Sequence, residues 1–135
     1  MSKNQPFIPT FRGRTLGITV LVAAQYLVGA IHVPFGLWLL AAAPDVYGAY
    51  TFVFGLLVAV FAYGLWNGKR WGWIGTVSTS VFVIVADSLT VLNQPSIPGI
   101  PKLASVGEIP YSVLVLLYLL QTRVRAKYKI SAKTA

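Results

Sequence analysis

The sequence predicts an all-α fold: a bundle of four transmembrane helices with both termini in the cytoplasm. Three observations predict it. The 135-residue chain is 56% hydrophobic and only 10% charged, whereas a water-soluble domain carries about 25% charged residues. The apolar residues gather into four long runs, each near the roughly 20 residues needed to cross a hydrocarbon core of about 30 Å. Ten of the eleven Lys and Arg residues then fall on one side. They are Lys3, Arg12 and Arg14; Lys69 and Arg70; and Arg123, Arg125, Lys127, Lys129 and Lys133, with Lys102 alone on the other side. Short cytoplasmic segments are enriched in Lys and Arg, so the termini and the middle loop are assigned to the cytoplasm and the protein to the cell membrane.

Residues 1–15 form a basic, Pro-containing arm whose Phe7 and Phe11 suit the headgroup region. The first span covers about 16–42, long enough to tilt or to bend at Pro34. Ala41-Ala42-Ala43 resembles a signal-peptidase site, but the preceding apolar run is about twice too long for a signal sequence, so the span is expected to stay. Ala43-Pro44-Asp45 turns the chain into a second span at 47–66. Asn67-Gly68-Lys69-Arg70 is a tight inner turn, and the third span covers 71–92. Trp66, Trp71 and Trp73 mark one membrane level as an aromatic belt. Pro95, Pro98 and Pro101, three residues apart, predict an extended outer connection over 93–107. The fourth span covers 106–122, with Pro110 in its first turn. It is the most uniformly Leu/Val-rich span and so is expected to be the most exposed to lipid. Residues 123–135 are a basic cytoplasmic tail.

Helical spacing predicts the contact faces. Gln25, Gly29, His32 and Gly36 share a face of the first span; Gly48, Gly55, Ala59 and Ala62 of the second; and Gly72, Thr76, Thr79, Val83, Asp87 and Thr90 of the third. Small and hydroxyl residues let helices approach closely in lipid, so Gly29, Gly36, Gly55, Ala59, Gly72 and Thr76 are expected at helix contacts. Arg12, Arg14, Lys69, Arg70, Arg123 and Arg125 are expected to meet lipid headgroups. A net charge of +8 serves that purpose here and not nucleic-acid binding.

The chain contains one His, three acids and no Cys. This excludes disulfides, thiolate metal sites and a thiol nucleophile. His32 and Asp87 each lie sixteen residues above the inner edge of their spans, about 24 Å at helical rise. Glu108 at the expected start of the fourth span and Asp45 in the outer turn place every acid on the outer side. His32, Asp87, Glu108 and Gln25 are therefore the candidate polar site. Three readings of it are open: a structural hydrogen bond between His32 and Asp87, a metal site using both, or a proton or ligand site. No phosphate-binding loop, nucleophile elbow or zinc-protease motif is present, and Ser80 and Ser88 have no suitably spaced base. The chain is thus not expected to be an enzyme on its own, and a haem bundle would need more His ligands. No cofactor is predicted beyond bound lipid, with a metal or a quinone as alternatives.

The stretch from Gly55-Leu56-Leu57 through Tyr63-Gly64-Leu65-Trp66-Asn67-Gly68-Lys69-Arg70-Trp71-Gly72-Trp73 resembles a pattern in uncharacterised small four-span membrane proteins of bacteria and archaea. That resemblance covers residues 50–80 and implies a four-helix membrane fold without an activity. A fainter likeness is to small membrane subunits of quinone-linked oxidoreductases, and no functional residue carries over from them. Three functions remain open. The first is a non-catalytic accessory subunit of a larger membrane complex, with other membrane subunits as partners. The second is a small homo-oligomeric transporter, channel or ligand-binding protein. The third is a redox subunit associated with a metal or a quinone.

Overall fold

The structure, a computed structural model, describes residues 10–11 and 14–130. Arg12 lies outside the described residues, as do most of the N-terminal arm and residues 131–135. A two-residue antiparallel pair, β1 (Thr10–Phe11) with β2 (Arg14–Thr15), leads into five helices: α1 (Leu16–Ala42), α2 (Val46–Trp66), α3 (Arg70–Val91), α4 (Lys102–Leu119) and the short α5 (Thr122–Lys127). The first four are long and apolar enough to cross a membrane, and the protein is an integral, multi-pass membrane protein with an all-helical fold. Consecutive helices pack in order, α1 on α2, α2 on α3 and α3 on α4.

Local chemistry sets the helix ends. Thr15 caps α1 by accepting from the Ile18 amide, and Asp45 caps α2 by accepting from the Gly48 amide at 2.8 Å. This satisfies amide groups that a helix start otherwise leaves open. Gly68 takes a positive φ of 69° in the turn between α2 and α3, a conformation that costs glycine nothing. At the same end, two carbonyls near helix C-termini find side-chain donors. The Trp73 indole donates to the Leu119 carbonyl at 2.9 Å, and the Tyr128 hydroxyl donates to the Leu65 carbonyl at 2.7 Å.

Glycine decides how closely α1, α2 and α3 approach. A Cβ on Gly36 would lie 2.4 Å from the Phe52 amide nitrogen, one on Gly55 2.8 Å from the His32 Cβ, and one on Gly72 2.4 Å from the Gly64 carbonyl carbon. Gly29 faces Gly55 and Ala59. In lipid, where helix association relies on packing, such contacts hold the bundle together.

The fourth helix departs from its expected course at both ends. It starts at Lys102 rather than 106, which puts Pro110 mid-helix rather than in the first turn. It stops at Leu119, where Trp73 takes the carbonyl, and the chain then folds back as α5. Val124 and Tyr128 are buried, so this part of the basic tail packs against the bundle. The outer connection is not a straight polyproline path. Asn93 and Gly99 both have positive φ, Gly99 packs near Tyr47, and Asn93 accepts a hydrogen bond from Lys102. α4 is the least buried of the four long helices.

Candidate functional site

The buried polar groups collect where the four helices surround a cavity of about 160 Å³. All four contribute to its wall: Gln25 and His32 from α1, Phe54 from α2, Ser80 from α3, and Glu108 and Tyr111 from α4. Gln25 is buried on the inner face of α1 that sequence spacing predicts, and Ser80 is buried on α3 beside the predicted face that carries Thr76, Val83 and Asp87. The α4 contribution follows from the early start of that helix, which carries Glu108 six residues, about 9 Å, inward from its first residue. Glu108 is therefore inside the span and not at its start.

His32 and Asp87 do not form the expected hydrogen-bonded pair. His32 Nε2 lies 3.6 Å from Glu108 Oε1, while Asp87 Oδ1 accepts from the Ser105 hydroxyl at 2.9 Å. Glu108 stands near enough to Asp87 for the two carboxyl groups to interact. The order is thus imidazole, carboxyl, carboxyl, hydroxyl, with Glu108 in the middle. The ring orientation of His32 is set from its own helix. Nδ1 is 2.8 Å from the Val28 carbonyl, and a carbonyl oxygen can only accept, so Nδ1 carries a proton. Nε2 is then the nitrogen that faces Glu108. The ring edge of Phe54 packs against His32 with centroids 5.4 Å apart.

Asp87 is 1% exposed, and its Oδ2 has no hydrogen-bond partner among the described residues. Toward the end of the bundle that holds Lys69 and Arg70 the cavity wall carries a second polar contact, in which Tyr111 donates to Gln25 Oε1 at 2.6 Å. Toward the opposite end lies a cavity of about 20 Å³ that His32 and Glu108 also line. Asp45 takes no part, since its carboxylate caps α2. Among the described residues no three His, Cys, Asp or Glu side chains converge closely enough to hold a metal ion. Sequence reasoning singles out His32, Asp87, Glu108 and Gln25 but misses Ser105 and Tyr111. The spacing of Ser105, Ser112, Val115 and Leu119 on one face of α4 is the signal that could have found Ser105.

Lys69 and Arg70 are exposed at the end of the bundle that also holds Arg123 and Arg125, where Arg123 is exposed and Arg125 half-buried. Gly29, Gly36, Gly55, Ala59, Gly72 and Thr76 lie in the bundle as described, with the Thr76 hydroxyl bonded to its own helix at Gly72.

Neither a curated protein nor a solved structure matches the chain. Residues 41–105 match a family described as "Predicted membrane protein (DUF2127)". The matched segment runs from the end of α1 through α2 and α3 into the first turn of α4, and so contains Asp87 and Ser105. Over that segment the chain is similar to a family of membrane proteins for which the description states no activity.

Proposed function

We propose that this membrane protein takes up and passes on protons through His32, Glu108 and Asp87. The observation that carries the reading is the position of Glu108, between an imidazole and a second carboxyl and between two cavities. A cavity needs roughly 10–15 Å³ to hold one water. The smaller space of about 20 Å³ has room for one and the central space of about 160 Å³ for several. Water on either side of the His32–Glu108 pair would make a path in which the pair is the relay. Ionisable groups kept within a membrane span are costly and commonly mark such paths.

Of the functions open from the sequence, this supports the transport or ligand-binding class and needs only one chain to complete the site. The accessory-subunit reading rests on small size, the lack of an extramembrane domain and of a self-contained active site, and the small-residue faces. Both are tested by reconstituting the purified chain without partners into liposomes that enclose a pH-sensitive dye and imposing a pH gradient. The expected result is proton flux above that of empty liposomes, abolished in Glu108→Gln and strongly reduced in His32→Ala. Flux no greater than in empty liposomes, or unchanged in Glu108→Gln, overturns the proposal, and a chain inert without partners returns the accessory reading to first place.

A further inference from the structure

α1 and α4 close the bundle mainly through side chains. Three pairs span the seam: Thr15 with Tyr118 at 3.5 Å, Gln25 with Tyr111 at 2.6 Å, and His32 with Glu108 at 3.6 Å. Between the first two pairs the seam opens as an apolar groove of about 440 Å³, lined by residues that include Val20, Ala24, Leu114 and Val115. Val20 and Leu114 are 59% and 66% exposed, at a level of the span that faces lipid. Tyr111 belongs to the wall of this groove and to that of the central cavity. The groove and the cavity are therefore neighbours separated by one side chain.

We infer that the cavity and the groove form a single site for a lipophilic quinone or quinol, with its ring in the cavity and its apolar tail in the groove. The first support is the placement of the polar groups. His32 and Gln25 are seven residues apart on α1, about 10.5 Å along the axis. Two polar stations at that axial separation can hydrogen-bond the two ends of one small ring. A six-membered ring with oxygens at opposite positions fits that span. The cavity wall also includes Val58 and Val83, apolar surface for the faces of a flat ring.

The second support is unused hydrogen-bonding capacity. Ser80 and Ser112 line the cavity and are only 6% and 4% exposed, yet neither hydroxyl has a hydrogen-bond partner among the described residues. Both hydroxyls face the cavity, and ring oxygens placed there can accept from them. The third support is continuity with the bilayer. A molecule whose tail stays in the lipid-facing groove reaches the polar cavity by moving Tyr111, without breaking any close backbone contact. The inference uses the same central cavity as the proton reading but does not rest on proton flux.

The test is equilibrium binding of decylubiquinone to the purified full chain in nanodiscs, with empty nanodiscs as the reference for partition into lipid. The expected result is saturable binding of one quinone per chain. Affinity should fall about tenfold in Gln25→Leu, the effect of losing one of the two hydrogen-bond stations, and by at least as much in Val20→Phe, which fills the groove from a lipid-facing position that tolerates a larger side chain. No saturable excess over empty nanodiscs, or wild-type affinity in either variant, overturns the inference. Flux without quinone binding removes this inference alone; quinone binding without flux removes the proton reading alone.

Discussion

Asp87 shows how much can depend on one hydroxyl. Its carboxyl is buried, with Oδ1 accepting from Ser105 and Oδ2 without a hydrogen-bond partner among the described residues. Removing the hydroxyl leaves the carboxyl with only its neighbour Glu108 in a low-dielectric interior. Ser105→Ala should therefore destabilise the protein by about 1–3 kcal/mol, the cost of a buried polar group left unmade. Thermal unfolding in detergent checks this, and an unchanged midpoint would mean that Asp87 has a partner the geometry does not show. His32 shows the complementary point. Its Nδ1 is occupied by the Val28 carbonyl, so its single remaining nitrogen can serve Glu108 or a ligand.

At the scale of the element, glycine has opposite consequences at two helical positions. Gly72 lies where α3 meets α2, and any Cβ there strikes the Gly64 backbone, which cannot swing aside. Gly107 lies on α4 with nothing within 4 Å of an added Cβ. Gly72→Val should force α2 and α3 apart and cost about 1–3 kcal/mol or more, as overpacked cores do. Gly107→Ala should be neutral or stabilise by up to about 1 kcal/mol, because alanine is the better helix former. Unfolding midpoints of the two variants, compared side by side, check both signs. Equal effects would mean that the α2–α3 contact does not limit the packing.

Across the whole molecule, the described basic residues near helix ends gather at one end of the bundle, apart from Lys102. Hydrogen bonds from Tyr128 to Leu65 and from Trp73 to Leu119 tie the neighbouring helix ends together there. With that end in the cytoplasm, Asn67→Cys should react with a membrane-impermeant thiol reagent only after the cells are opened, whereas Ser96→Cys should react in intact cells. The chain has no cysteine of its own, so each variant carries a single reporter. The reverse pattern would invert the orientation, and with it the side from which protons reach Glu108.

The number of spans, the faces rich in small residues and the candidate ionisable residues are legible in the sequence. They follow from composition and from the 3.6-residue period, which are properties of each segment taken alone. Start points were less legible: α4 begins at Lys102 and ends at Leu119 because Pro101 and the indole of Trp73 bound it, and the second of these is a contact between distant parts of the chain. Depth along the axis could place His32 and Asp87 at one level, but rotation and the spacing between helices decide which groups touch. Glu108 therefore stands between them, Ser105 takes Asp87, and Tyr111 takes Gln25. Only the packed bundle determines these pairings, because each joins residues from helices that the sequence alone does not orient against one another.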